Sequence, residues 1–313
     1  MTKFKGTREA FAAALMDMAE ERKDIVLISP DSLKAMRAVP FGEKYPERYV
    51  ECGIAEQGAV DTAAGLASAG MTPFVGTYAG FLTMRACEQM RTFVGYTNLN
   101  VKFLGVNSGL LGGEREGVTH QFYEDLAVVS SLPNYTIFTP ADPAQCYQAV
   151  KKAAEVEGPV YIRAGSGREV DVYHVNAPFA ENGITVWKEY GTDAVLFSSG
   201  FVLDRVIKAA ELLKEQGVNV TVADINILYG NNPSDILKVM EKSSQLFTIE
   251  DHNINGGLGS YISRLACENK PAHVTRIALT TYGESGPAKE LADAYGFSPE
   301  AIAEKVIKTI QQN

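Results

Sequence analysis

Cysteine is scarce and scattered. Cys52, Cys87, Cys146 and Cys267 are the only four in 313 residues, and no two stand in C-x-x-C spacing. That argues against a zinc ribbon or a disulfide framework and leaves four ordinary thiols. Long apolar runs are missing as well: no stretch approaches the roughly 20 residues that span a bilayer. The opening stretch, MTKFKGTREAFAAALMDMAEERKD, breaks every apolar cluster with charge and so lacks a signal-peptide core. The expectation is a cytoplasmic protein with no membrane role. Positive charge is in deficit, with 29 Lys and Arg against 38 Asp and Glu and a net charge of −9. A broad nucleic-acid surface is therefore not expected. No P-loop, no H-E-x-x-H and no G-x-S-x-G elbow occurs, so three common hydrolytic and nucleotide chemistries lose their sequence support.

What is present is alternation. The apolar residues Phe11, Ala14, Leu15 and Met18 follow helical spacing over Thr7 to Glu21. Asp24 to Ser29 is an apolar run of strand length. Gly53 to Ala69, rich in small residues, reads as a buried helix, Thr72 to Thr77 as a strand and Phe81 to Phe93 as a helix. Val101 to Val106, Tyr135 to Phe138 and Val160 to Arg163 read as strands. Gln121 to Ser131 reads as a helix, and Asp142 is an N-cap for another that ends at Ala154. Residues 169–190 lose this rhythm and read as a linker. From residue 191 a second series runs through AVLFSS, VNVTVADI, LFTIED and VTRIAL, with helices between and a last helix from Pro299 to Ile310. The fold class expected is α/β: two parallel-sheet α/β domains, 1–168 and 191–313, of different size.

Three stretches offer chemistry. In GIAEQ, Glu56 opens a small-residue helix. Read from the residues alone, it is either an exposed first-turn glutamate favoured by the helix dipole, or a buried carboxylate that needs a donor or a proton. Glu114-Arg115-Glu116-Gly117-Val118-Thr119-His120-Gln121 follows the strand VKFLGV, and ligands collect at the C-terminal ends of parallel strands. His120 there is either a proton-moving group or the cap of the next helix. Glu250-Asp251-His252 precedes Gly256-Gly257-Leu258-Gly259. That spacing is not a dinucleotide loop, and it reads as a turn that lets a helix pack closely on a sheet. His174 and His273 read as structural.

Taken together, ECGIAEQGAVDTAAGLASAG, GVTHQFYEDLAVVSSLPN, FTPADPAQCYQAV, PVYIRAG and IEDHNINGGLGS resemble, in the same order, the second half of transketolases. The resemblance implies a pyrimidine-binding domain followed by a transketolase C-terminal domain, and thiamine diphosphate as cofactor. It gives Glu56 the role of hydrogen-bonding N1′ of the aminopyrimidine, which promotes the imino tautomer that serves as base toward the thiazolium C2. Such proton sharing needs a tightly packed, low-dielectric site. By the same resemblance Phe81 packs on the pyrimidine, and Tyr78 and Asp31 lie near the cofactor. His120 faces the substrate's hydroxyls and carbonyl. Glu116 stands where relatives carry aspartate, a displacement of about an ångström for its carboxylate.

The family's GDG motif is absent from this chain. The resemblance therefore implies a split enzyme whose diphosphate and Mg²⁺ site comes from another chain, the N-terminal subunit, and no metal ligand is expected here. It further implies self-association about a two-fold axis and a heterotetramer. Among residues that grip a sugar phosphate, Arg8 fits. Asn107 takes the place of a histidine, Lys34 falls where serine is common, and Thr139 in FTPAD replaces an expected arginine, with Arg115 available to restore charge. Threonine cannot make arginine's two parallel hydrogen bonds, and each lost charge-assisted contact weakens binding by about 1.5–3 kcal/mol. The expectation is a remodelled anion pocket and an unusual donor, such as apulose phosphate or a sulfonated sugar. Two other readings stay open: the beta subunit of a 2-oxo-acid dehydrogenase, and a non-catalytic protein of the same fold.

Overall fold

The computed structural model describes residues 4–113 and 115–312. Helix α1 (Thr7–Glu21) follows the predicted apolar spacing and buries Phe11, Ala14 and Leu15. The first sheet takes its strands from β1 (Ile25–Ser29), β2 (Tyr49–Glu51), β3 (Thr72–Tyr78), β4 (Lys102–Val106), β5 (Thr136–Phe138) and β6 (Val160–Arg163), with a seventh, β10 (Ile227–Tyr229), arriving from later in the chain. The order is β10-β5-β6-β4-β3-β1-β2. Every pairing is parallel except β10 with β5, which is antiparallel. Strands β1, β4 and β6 are buried throughout, as a parallel sheet covered on both faces requires.

Helix α2 (Val39–Lys44) is short, and Phe41 anchors it in the core beside α1. Helix α3 (Glu56–Ser68) corrects the expectation of a buried helix. Ala59, Val60, Ala63 and Ala64 face the core, but Gln57, Gly58, Asp61 and Gly65 are exposed, because polar and glycine positions recur along one stripe. The stretch read as one helix from Phe81 is wider-wound. Phe81–Arg85 and Met90–Gly95 are π-helical around a short α4 (Cys87–Gln89). Such π turns are rare and often sit at functional sites. Helix α5 (Asp125–Ser130) starts four residues later than read. Asp142 does cap α6 (Pro143–Ala153), accepting from the Gln145 N–H at 2.7 Å.

The second sheet is formed by β7 (Ile184–Glu189), β8 (Ala194–Ser199), β9 (Val220–Ile225), β11 (Gln245–Asn253) and β12 (His273–Leu279), in the order β12-β11-β8-β9-β7. Strand β7 lies inside the stretch read as linker. It is an antiparallel edge strand with mostly half-exposed residues, so its apolar signal is weak. Helices α7 (Leu203–Glu215), α8 (Ser234–Met240), α9 (Leu258–Glu268), α10 (Ala288–Ala294) and α11 (Pro299–Gln312) complete the layers. Helix α9 opens on the glycine turn: both Glu250 oxygens accept its first amides, from Leu258 and Gly259, at 2.6 and 2.7 Å. No helix among the described residues is long and apolar enough to cross a membrane.

Candidate active site

The parallel strands of the first sheet point their C-terminal ends at one edge. After β2 the chain turns at Gly53, where φ is +68°, a conformation glycine adopts without steric cost. Glu51 holds that turn. Its Oε1 accepts from the Asp31 and Gly53 amides at 2.7 and 2.9 Å, and Tyr49 donates its hydroxyl to Oε2. Burial alone would raise the Glu51 carboxyl, but these donors outweigh it and hold it below the usual carboxylate range.

Helix α3 begins directly after this turn, with Glu56 only 6% exposed. Its Oε1 accepts from Arg85 Nη1 at 2.8 Å. The same guanidinium lies over the Phe81 ring, 3.8 Å from its centroid, and Gln57 Nε2 donates to the Arg85 carbonyl at 3.1 Å. Glu56 and Arg85 line an open groove of about 520 Å³ with Ile54, Ala55, Gln57 and Gly58.

Phe81 belongs to an aromatic cluster. Its centroid is 5.3 Å from Tyr78, 5.2 Å from His120 and 5.3 Å from Phe122. Tyr78 meets the His120 ring edge-on at 4.9 Å. His120 Nδ1 is 2.8 Å from Thr119 Oγ1. The ring edges favour these T-shaped contacts electrostatically. Gly80 makes the cluster possible, since a Cβ there would stand 1.9 Å from the Phe122 ring.

Arg8 and Asn107 converge on one carbonyl. Gly165 O accepts Arg8 Nε at 3.0 Å and the Asn107 N–H at 3.2 Å. Burial lowers the Arg8 pKa, while the negative charge of Glu169 and the proximity of Tyr78 and Glu116 oppose that. Asn107 is fully buried at φ +56°, and neither Nδ2 nor Oδ1 has a hydrogen-bond partner among the described residues. A buried amide with unmet hydrogen-bonding positions is costly.

Thus Glu56, Phe81, Tyr78 and His120 come together, and Arg8 with Asn107 forms a second group within electrostatic reach of Tyr78. Glu116 is exposed and faces Arg8 only electrostatically. Asp31 is exposed at φ +54°, contributing its amide to Glu51. Lys34 and Arg115 are exposed and make no side-chain hydrogen bond or ion pair among the described residues. Glu114 lies outside the described residues. Thr139 makes no hydrogen bond to these residues. It is fully buried and its hydroxyl donates to Ile225 O at 2.7 Å, across the junction between the two sheets. Glu51 and Arg85 escaped the sequence reading. The signal for Arg85 was its place four residues after Phe81 in a helix.

Residues 5–167 match the family profile described as the transketolase pyrimidine-binding domain, and residues 183–302 match the transketolase C-terminal domain. The chain belongs to the transketolase family. Among transketolases, one subunit of an apulose-4-phosphate transketolase from Phocaeicola vulgatus is 31% identical, over 97% of each chain. A 6-deoxy-6-sulfo-D-fructose transketolase subunit from a Clostridium species is 29% identical, over 94% of this chain and 91% of its own. A solved structure described as a split-gene transketolase, inactive beta4 tetramer, superposes with a TM-score of 0.88 at 33% identity, covering 98% of both chains. The pyrimidine-binding domain of this family implies thiamine diphosphate. The residues present fit its aminopyrimidine: a buried carboxylate close to an aromatic ring, with an open groove at the carboxylate.

Proposed function

We propose that this chain is the C-terminal subunit of a two-subunit, thiamine-diphosphate-dependent transketolase that moves a two-carbon ketol unit from a ketose to an aldose. The buried Glu56 carboxylate near Phe81 carries the reading. When bound, the cofactor supplies the stabilised carbanion chemistry that ketol transfer needs. The work of this chain is positional and protonic. Glu56 holds a proton at N1′ of the pyrimidine, and the burial of its side chain keeps that hydrogen bond strong. Phe81 orients the ring, with Tyr78 beside it as a further cofactor contact and Asp31 at the margin. His120, packed on both aromatics, moves protons at the substrate's hydroxyl and carbonyl oxygens.

The diphosphate and Mg²⁺ ligands are proposed to lie on an N-terminal partner chain, because the GDG motif is not in this one. The described surface suits such a partner. Ile54 is 77% and Tyr96 85% exposed, with Met84 and Phe93 also exposed and the glycine stripe of α3 following Ile54 in the chain. Exposed apolar groups of this size favour association. The naming of the Phocaeicola relative as one subunit of its enzyme, and the inactivity stated for the related tetramer, support a need for a second chain. A heterotetramer built about a two-fold axis is the assembly proposed.

Arg8 and Asn107, with Glu116, Lys34 and Arg115 at the rim, are the proposed substrate contacts. An unusual donor, apulose phosphate or a sulfonated sugar, is favoured by the Asn107 environment and by the names of the two relatives. The test is reconstitution with a GDG-bearing partner, cofactor and Mg²⁺, and measurement of kcat/KM for these donors against xylulose 5-phosphate with one acceptor. Ketol transfer from none of them refutes the function. A clear preference for xylulose 5-phosphate refutes the specialised donor alone.

A further inference from the structure

The His120 ring has few anchors of its own. Among the described residues its one side-chain hydrogen bond is to Thr119 Oγ1, and it packs on the Tyr78 and Phe81 rings. Its position therefore depends on the loop from Asn107 to Glu124, and both stems of that loop are held by the C-terminal domain. On the first stem, Asp251 of β11 uses both carboxylate oxygens: Oδ1 accepts the Leu110 amide at 2.7 Å and Oδ2 the Leu111 amide at 2.9 Å. Asp251 is fully buried. Gly109, at φ +82°, admits it, since a Cβ there would lie 2.3 Å from Asp251 Oδ2. On the second stem, the Asn253 amide donates to Tyr123 O at 2.6 Å, the Gly283 amide to the Tyr123 hydroxyl at 2.9 Å, and Gln121 Nε2 to Glu284 O at 2.9 Å. Arg163 ties the stems together. It pairs with Asp125 at 3.1 Å and donates to the Asp251 carbonyl at 2.8 Å, all of this buried.

We propose that Asp251 is a positioning residue for ketol transfer: from the C-terminal domain, which supplies no reacting group, it fixes the loop that presents His120 to the substrate. A carboxylate accepting two adjacent amides sets the direction of the chain that leaves them, and a misplacement of about 1 Å at a reacting group can cost about 100-fold in rate. The proposal rests on the transketolase reading, but one arm of its test does not.

Asp251→Asn replaces one acceptor oxygen by an N–H donor that opposes an amide. In the isolated subunit, hydrogen–deuterium exchange should rise at least about tenfold in peptides covering Ser108–Gly112 and Thr119–Tyr123. Exchange in β8 and β9 should stay at the wild-type level. In the reconstituted enzyme kcat should fall at least about tenfold while donor KM moves less than about threefold. In a His120→Ala background the same substitution should lower kcat no further. Asp251→Ser, which keeps a single shorter acceptor, gives the same pattern and serves if Asp251→Asn does not fold; Tyr123→Phe, which removes the acceptor of the Gly283 amide on the second stem, should raise loop exchange more weakly. Unchanged loop exchange in the Asp251 variant, exchange raised across both sheets, or additive losses with His120→Ala would each overturn the proposal. If the wild-type complex transfers no ketol unit, the function fails, while the exchange arm still decides whether Asp251 holds the loop.

Discussion

Arg85 Nη1 stands 2.8 Å from Glu56 Oε1, so the buried carboxylate of α3 is paired by a residue from the next helical segment. Because the same guanidinium lies over Phe81, Arg85 covers both surfaces proposed to receive the aminopyrimidine. The pair is asymmetric: the Glu56 side chain is 7% exposed and that of Arg85 is 50% exposed. A partly exposed pair of this kind is worth about 1 kcal/mol or less. Arg85→Ala should therefore lower the melting temperature of the free subunit slightly and tighten cofactor binding to the reconstituted complex by roughly threefold, up to about fivefold. Scanning fluorimetry and calorimetric titration measure the two effects. Weaker cofactor binding in the variant would refute the competition.

Glu56→Gln preserves volume and can still face Arg85, so the fold should survive with a melting temperature within a few degrees of wild type. Turnover in the reconstituted enzyme should fall by at least about 100-fold, the usual scale for loss of a general acid–base partner. Near-normal initial rates at saturating cofactor would sink the assignment.

Gly80 has an ordinary helical φ of −74°, so a side chain there is opposed by space and not by the backbone. Gly80→Ala pushes on the Phe122 ring, which packs on Phe81. Overpacking of this sort costs about 1–3 kcal/mol. The expected outcome is a lower melting temperature together with weaker cofactor binding. Loss of stability with unchanged cofactor affinity would separate Phe122 from the site.

Lys102 is buried in β4 and donates to Val156 O and Gly158 O at 2.6 and 2.7 Å. Burial pushes its ammonium from 10.5 down to about 7. The folded value lies below the unfolded one, so between about pH 7 and 10.5 the unfolded chain binds more protons and stability rises with pH. Below about pH 7 both states are charged and the whole cost of burying the charge remains. Lys102→Met removes this dependence. The melting temperature of wild type should gain on that of the variant between about pH 6.5 and about pH 9.5, values chosen to straddle the folded pKa. A constant difference would show that the lysine stays charged.

Much of the fold was legible in the sequence. The spacing of Phe11, Ala14, Leu15 and Met18 predicted α1 from Thr7 to Glu21, where it is found, because apolar residues at helical spacing bury themselves together on one face. The apolar runs of β1, β4, β6 and β8 were equally plain. Strands β7 and β10 were not, since one is a half-exposed edge and the other is three residues long.

At the site, motif residues far apart in the chain, Glu56, Tyr78, Phe81 and His120, do gather at one edge of the sheet. Their partners were hidden. Arg85 and Glu51 carry no motif, and the grip of Asp251 on Leu110 joins residues 141 positions apart. The hydrogen bond of the Thr139 hydroxyl to Ile225 O was hidden too, because it crosses from the first sheet to the second.

Strand β10 follows β9 of the second sheet in the chain, yet pairs with β5 of the first through Ile227↔Phe138 and Tyr229↔Ile137. The two units are consequently interlocked as well as tethered. A protease that cuts once within 170–182 would leave two fragments that still migrate together under native conditions, held by that strand and by the buried Arg163–Asp251 contact. Producing residues 1–168 alone would strip the outer edge of β5 and leave unpaired backbone groups beside Ile137 and Phe138, an invitation to edge-to-edge aggregation. The first unit is, in that sense, finished by a piece of the second.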